Sequence, residues 1–338
     1  MTRTHPEFPA LMGCLLAGDE AGAIGLARDL MATGTLPEEV LLRLIAPVQA
    51  SIGELWALNR LSVADEHVAS HICERITTVC GERDRSPWRP ERLVIACADG
   101  EWHTLPSRLL AECLRLRGYP VSFLGASVPA AHLTAYLQQH EPAAVLISIS
   151  LPVRLPSARR AVLAARQAGV PVLAGGRGFG DTDRWALRLG ADAWAADAVE
   201  AAGVLEKWPP AEESGDGLDH LADDEYSRLL ADTAELVAGC LTALEQRFPP
   251  MRGYTASQRQ ATVDDLHHLT SFLASAVYID DETLFARFLR WTTDILAVRH
   301  VPPAGVGLVV DHLQETLGGR ARTARILAAG RAAIPAHR

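Results

Sequence analysis

Between Arg92 and Trp208 short apolar runs alternate with amphipathic segments, and this alternation constrains the fold more than any other feature of the chain. LVIACA (93–98), VSFLGA (121–126), AVLISIS (144–150) and PVLAGG (171–176) have strand character, with ADAWAA (191–196) as a weaker fifth run. The segments between them, PSRLLAECLRLRG, AAHLTAYLQQH and ARRAVLAARQAG, read as amphipathic helices. Strands alternating with helices of that length predict right-handed βαβ units and one parallel sheet. Ligands of such sheets bind outside the C-terminal ends of the strands, so chemistry is expected in the loops that follow the runs.

The flanks have a different period. From Pro6 to Gly81 the pattern is helical throughout. Leu41, Leu42, Leu44, Ile45, Val48, Ile52, Leu55 and Trp56 form one broad apolar face in the third of four predicted helices. Ser62 reads as the N-cap of the fourth, with Asp65 and Glu66 in the first turn, where the helix dipole favours acids. A four-helix bundle over 1–85 therefore precedes an α/β domain over 90–208. The stretch WPPAEESGDGLDHLADDE, rich in proline, glycine and acids, predicts a linker over 209–222, and 223–338 reads as all-helical.

Composition narrows the function classes. Hydrophobic residues make up 49% and charged residues 22%, which suits packed cores and not disorder. Lys+Arg is 32 against Asp+Glu 41, and the net −9 argues against a protein that grips nucleic-acid phosphates. The N-terminus lacks the basic-then-apolar layout of a signal peptide, and no apolar run approaches ~18 residues without a charge. Six cysteines form no C-x-x-C pair, so neither a disulfide framework nor a zinc knuckle is expected. A soluble, cytoplasmic protein without membrane or nucleic-acid partners is the expectation.

Two constellations carry chemistry in the first two regions. Glu101-Trp102-His103 follows the first strand, where a carboxylate two positions before an imidazole can bond one ring nitrogen and leave the other for a metal. An isolated E-x-H is ordinarily a surface histidine in a polar loop. Here Ser148 and Ser150 end the third strand and Gly175-Gly176 the fourth, and such small residues leave room beside the sheet for a bulky group. The second constellation is Trp56…Glu66-His67, brought together by a short helical hairpin. An indole to pack and a carboxylate to accept hydroxyl donors suit a nucleoside, although residue type alone favours Trp56 as core, Glu66 as a first-turn dipole partner and His67 as incidental.

Taken together, Glu101-x-His103, the serines and Gly175-Gly176 resemble the cobalamin-binding domain of the base-off/His-on type, a flavodoxin-like (Rossmann-type) fold, over roughly 92–208. The resemblance implies that His103 is the lower axial cobalt ligand and Glu101 its hydrogen-bond partner, with Trp102 beside them at the cofactor. Ser148, Ser150, Gly175 and Gly176 would line the slot for the nucleotide tail. Pro106 stands where that motif has glycine. The W-x9-E-H spacing in a bundle ahead of such a domain resembles the cobalamin-dependent light sensors that repress carotenoid synthesis. It implies a cap over adenosylcobalamin, in which Trp56 stacks on the adenosyl group, Glu66 holds it, and Val63 and His67 complete the contact. Ala57 stands where those sensors have a second cobalt-binding histidine, and their helix-turn-helix does not precede the bundle here.

The C-terminal region contains Arg252, Tyr254, Arg259, His267-His268, Tyr278, Arg287, Arg290, Trp291 and Arg299. Arginines and histidines near aromatics on apolar helices suit the propionates and pyrrole nitrogens of a tetrapyrrole. Taken alone, they read as a solvated helix edge beside a core aromatic. Following a light-sensing cobalamin module, the domain order resembles the photocobilins, which carry a globin- or phycobiliprotein-like domain that binds biliverdin. That resemblance implies His267, His268, Arg287 and Arg290 as bilin contacts, one imidazole facing inward among Leu266, Leu269, Phe272 and Leu273. Cys240 reads as a buried helix cysteine.

The expectation is a non-enzymatic photoreceptor that binds adenosylcobalamin and biliverdin, a homo-oligomer whose association depends on light and whose output passes to a protein partner. The alternatives are a corrinoid protein that carries methyl groups between methyltransferases and a cofactor-free module that binds a partner helix.

Overall fold

The structure, a computed structural model, describes residues 5–82, 87–209, 217–299 and 301–335. Most of the expected linker, residues 210–216, lies outside the described residues, and its end forms a 3-10 turn, Asp219–Asp223. The chain divides into two units, 1–215 and 216–338.

The first unit opens with α1 (Phe8–Ala17) and α2 (Glu20–Ala32). A continuous helical rod follows: α3 (Pro37–Glu39), a π-helical stretch (Val40–Ile45) and α4 (Ala46–Ala57). By length and composition this rod would suffice to cross a membrane, yet Val40, Leu41, Ile45, Val48 and Ile52 are fully buried in the bundle core. Helix α5 (Val63–Gly81) starts at the predicted cap. Ser62 Oγ accepts from the Asp65 N–H at 3.1 Å, and Asp65 Oδ2 accepts from the Ser62 N–H at 3.0 Å.

The sheet contains β1 (Leu93–Ala98), β2 (Val121–Val128), β3 (Ala144–Ser148), β4 (Val172–Gly175) and β5 (Ala193–Ala195). All pairs are parallel, in the order β2-β1-β3-β4-β5. The order reverses between β1 and β3, which makes their C-terminal ends the switch point where a crevice opens. Every residue of β1 and β3 is buried, as covering both faces with helices requires. Those helices are α6 (Leu105–Leu116), α7 (Ala130–His140), α8 (Leu155–Gln167), α9 (Arg184–Arg188) and α10 (Ala198–Leu205). Pro106 falls in the first turn of α6, where a missing N–H costs no intrahelical bond.

Bundle and sheet share a core. Leu105, Leu109, Cys113 and Leu116 of α6 belong to the same buried cluster as Ile72 and Ile76 of α5. Each such side chain contributes about 1.5–3 kcal/mol by leaving water. The seam is also pinned by polar contacts: Arg117 to Glu38, and Thr104 Oγ1 donating to Glu74 Oε1 at 2.8 Å.

The second unit is all-helical: α11 (Glu225–Ala231), α12 (Thr233–Arg247), α13 (Ala256–Ile279), α14 (Glu282–Val298), α15 (Ala304–Leu317) and α16 (Ala321–Ala333). The sequence pattern predicts one helix over the first two, but the helix breaks at Asp232, whose carboxylate is drawn to Arg320 at 2.7 Å. Helix α16 lies close against α14 at Gly330, where a Cβ would meet Phe285 at 2.6 Å. Its N-terminus is capped from α11: Glu225 accepts from the N–H groups of Arg322 at 3.1 Å and Thr323 at 2.8 Å.

Candidate functional site

The loop after β1 is built around one buried carboxylate. Glu101 is 1% exposed and spends both oxygens locally. Oε1 takes the His103 N–H at 2.8 Å and lies 2.6 Å from His103 Nδ1, while Oε2 takes the Ser150 N–H at 2.7 Å. Burial alone would raise the Glu101 carboxyl, but the bonds from His103 and Ser150 outweigh it and hold it below the usual range. The bond to Glu101 raises the His103 imidazole against the opposing effect of burial. Backbone bonds fix the loop. Gly100, at φ 78°, donates to Ser127 Oγ at 3.0 Å, and the Ser127 N–H donates to the Glu101 carbonyl at 2.9 Å.

With Nδ1 turned to Glu101, the Nε2 of His103 has no hydrogen-bond partner among the described residues, and the side chain is 59% exposed. An imidazole whose ring orientation is set by a carboxylate, with the second nitrogen open to solvent, is competent to ligate a metal. Trp102, 70% exposed, stands beside it.

Past the ends of β3 and β4 lies a cavity of about 100 Å³, lined by Ser148, Gly175, Gly176, Pro106 and Ser107 together with Ala196 to Ala198 of the β5–α10 turn. Gly176 is indispensable to its shape. It sits at φ 95°, and a Cβ there would lie 2.4 Å from the Ile149 carbonyl oxygen. The largely apolar walls and glycine floor suit a flat heterocycle. Ser150 is the exception among the predicted lining residues. It is not among the residues that line this cavity, and its backbone N–H, bound to Glu101, shapes the histidine loop.

On the bundle side, Trp56 is half-buried at the end of α4, and Val63 is exposed at the start of α5. Glu66 is partly buried and lies near enough to His103 for its charge to raise that imidazole. Glu66 Oε2 lies 3.7 Å from Nε2 of the exposed His67, while Oε1 accepts from Ser70 Oγ at 2.6 Å and from Gln49 Nε2 at 3.4 Å. Gln49 and Ser70 were not singled out from the sequence. The available signal was spacing: Ser70 is one turn after Glu66, and Gln49 two turns before Trp56 on the same helix face. Ser107 and Asp197 were likewise missed, because the cavity is assembled from segments far apart in the chain.

The C-terminal candidates are placed differently. His267, His268, Arg287 and Arg290 are all exposed. The expected inward imidazole is thus overturned. The buried stripe of α13 runs through Leu266, Leu269, Thr270 and Leu273, and its helical period leaves 267 and 268 outside. The adjoining aromatics do cluster: Phe272 stacks on Phe288 with ring centroids 3.8 Å apart, and Trp291 borders the pair. Cys240 is fully buried, and burial pushes its thiol up to about 12, so it stays protonated near neutrality.

Comparison with known proteins bears on the first unit. A family model described as a B12 binding domain matches residues 91–203, and a second B12 binding domain model matches 10–80. The chain is 35% identical over 136 residues to the HTH-type transcriptional repressor CarA of Myxococcus xanthus, a match that takes in 39% of this chain. It spans about half the length of that relative, 46%. Among solved structures, the monomethylamine corrinoid protein of Methanosarcina barkeri superposes with a TM-score of 0.52 at 19% identity, over 59% of this chain and 97% of that one. That likeness shows the shared fold. Bundle and sheet together thus form a cobalamin-binding module, and the open His103 Nε2 and the glycine-floored cavity fit that cofactor.

Proposed function

We propose that the chain is a light sensor whose chromophore is adenosylcobalamin, with biliverdin as a second chromophore on the C-terminal helical unit. The observation that carries the first part is Glu66, a carboxylate held by Ser70 and Gln49 and near enough to His103 for its charge to reach that imidazole, with Trp56 half-buried at the end of the preceding helix. An indole face and an acceptor of hydroxyl protons suit a nucleoside above cobalt. When bound, adenosylcobalamin supplies a cobalt–carbon bond that light breaks. His103 would hold the metal and Glu101 would fix the imidazole, the glycine-floored cavity would take the nucleotide tail, and Trp56 and Glu66 would hold the adenosyl group. Loss of that group would take a packing partner from Trp56, and a resulting shift of the bundle on α6 would change the association of copies of this chain or its contact with a partner protein.

Similarity to the CarA repressor supports this reading, within the portion of that protein the chain spans. Carriage of methyl groups needs open space above cobalt, which a Trp56 and Glu66 cage over that face would narrow. The bilin part draws on the all-helical second unit and on the aromatic cluster of Phe272, Phe288 and Trp291 beside Arg287. There an open-chain tetrapyrrole would lie on the surface formed by α13 and α14, with Arg287 and Arg290 toward its propionates and His267 and His268 along its edge.

An absorption spectrum after reconstitution with adenosylcobalamin and biliverdin, before and after green light, tests the whole proposal. Expected are a cobalamin spectrum changed by light, a red bilin band, and a changed sedimentation coefficient after illumination. A spectrum indifferent to light rejects photosensing and leaves methyl carriage, and absence of the red band rejects the second chromophore.

A further inference from the structure

Glu66 does not stand alone in the bundle. Its Oε1 accepts from Ser70 Oγ at 2.6 Å and from Gln49 Nε2 at 3.4 Å, and Gln49 Nε2 also donates to Ser70 Oγ at 2.6 Å. The three side chains close a ring between α4 and α5. The ring has a direction: the amide and the hydroxyl donate, and one carboxylate oxygen receives both. The other oxygen, Oε2, takes no part in the ring and lies 3.7 Å from His67 Nε2.

A second observation shows that Gln49 is not simply packing. Its Oε1 is buried and has no hydrogen-bond partner among the described residues. An amide kept with one end unsatisfied is unfavourable compared with an apolar side chain of the same size, unless the other end has a task. The task visible here is to hold Glu66. A glutamate in the largely exposed first turn of α5 would otherwise sample several rotamers, and ordering it on ligand binding would weaken affinity.

We propose that Gln49 and Ser70 are positioning residues that lock Oε1 of Glu66, so that Oε2 is presented to the hydroxyl donors of a nucleoside carried as the upper ligand of cobalamin. This rests on the adenosylcobalamin reading above and adds to it the residues that set selectivity for that ligand. Because neither residue touches the lower face, the effect is confined to cobalamins with a hydroxyl-bearing upper group.

The test uses the full chain and compares binding of adenosylcobalamin, methylcobalamin and hydroxocobalamin in the dark, for wild type, Gln49→Met, Ser70→Ala, Ser70→Thr, Glu66→Gln and the double variant Gln49→Met/Glu66→Gln. Gln49→Met keeps the volume and removes the donor. Expected for Gln49→Met and Ser70→Ala is a loss of about tenfold for adenosylcobalamin, the worth of one charge-assisted hydrogen bond, with the other two cobalamins within about twofold of wild type. Ser70→Thr restores the hydroxyl and recovers most of the loss, and the double variant is no worse than Glu66→Gln alone. Equal losses for all three cobalamins, or full additivity in the double variant, overturn the positioning role. If Glu66→Gln weakens adenosylcobalamin while Gln49→Met and Ser70→Ala do not, this inference falls and the adenosyl cage stands. If Glu66→Gln itself has no effect, both fall.

Discussion

His103 lies in a strand-end loop and His267-His268 lie mid-helix, and by residue type both regions look like places to hold a tetrapyrrole. They differ in what surrounds the imidazole. At His103 one nitrogen is engaged by Glu101, a carboxylate that is 1% exposed, and the loop is tied down through Gly100 and Ser127. At 267 and 268 the rings are exposed on α13, and the arginines nominated with them, Arg287 and Arg290, are exposed on α14. The difference teaches that position in the fold outweighs composition. A loop at the carboxyl end of a parallel strand faces the crevice whatever its residues, whereas a helix position faces ligand, core or water according to a 100° rotation per residue.

The largest effects are expected where the contrast is strongest. His103→Ala removes the imidazole proposed to hold cobalt, and bound cobalamin should shift to a base-off spectrum with affinity lowered about 100-fold. An unchanged spectrum would reject the ligand assignment. Glu101→Gln keeps the shape and should cost about 10–100-fold, read by cobalamin titration, because the imidazole loses its orienting charge.

Trp56→Ala sharpens the comparison from the other face of the site. It should weaken adenosylcobalamin by about 3 kcal/mol, the loss of one packed aromatic, and leave hydroxocobalamin nearly unaffected. Equal weakening would mean that Trp56 is core alone. Gly176→Ala tests the cavity floor without touching cobalt. A φ of 95° and a Cβ 2.4 Å from a carbonyl oxygen should lower thermal stability by about 1–3 kcal/mol and reduce cobalamin binding with it.

The smallest effects belong to the second unit. Glu225 caps α16, and its carboxyl is held below its ordinary 4.5 because the bonds from Thr323 and Arg322 outweigh the burial that would raise it. A depressed acid contributes its full stabilisation above 4.5 and loses it as pH falls through the lower folded value. Glu225→Gln should therefore cost about 1 kcal/mol at neutral pH and flatten the acid limb of the melting curve below 4.5, a figure kept small by partial exposure. Replacing His267, His268, Arg287 and Arg290 by alanine should change stability by less than about 0.5 kcal/mol each. If the red band with biliverdin also survives all four, the bilin is held elsewhere.

Much of the fold was legible in the sequence. Three of the four clear apolar runs contain β1, β3 and β4, β2 runs two residues past the second, and the weaker fifth contains β5. Ser62 caps α5 as its residue type and the acids after it indicate. The break at Asp232 escaped, and the ion pair made there, with Arg320, joins residues 88 apart in sequence. Of the candidate site, Glu101 and His103 are adjacent in sequence and their contact was readable, but the third partner of that carboxylate was not. Ser150, read as a lining residue, also donates its backbone N–H to Glu101 from 49 residues on.

The sequence by itself determined the periods: helical spacing in both flanks, short apolar runs with helices between them at the centre, glycine where φ must be positive, and an acid two positions before a histidine. These are local, and local sterics and hydrogen bonding decide them within a turn or a strand. Only the tertiary structure decided which oxygens of Glu101 and Glu66 are engaged and which is free, that Ser107 and Asp197 share a cavity with Gly176, and that the mid-helix imidazoles face outward. Each of these depends on the angle and depth at which one element packs on another. Buried area over the whole interface sets that geometry, and no single stretch of sequence contains it.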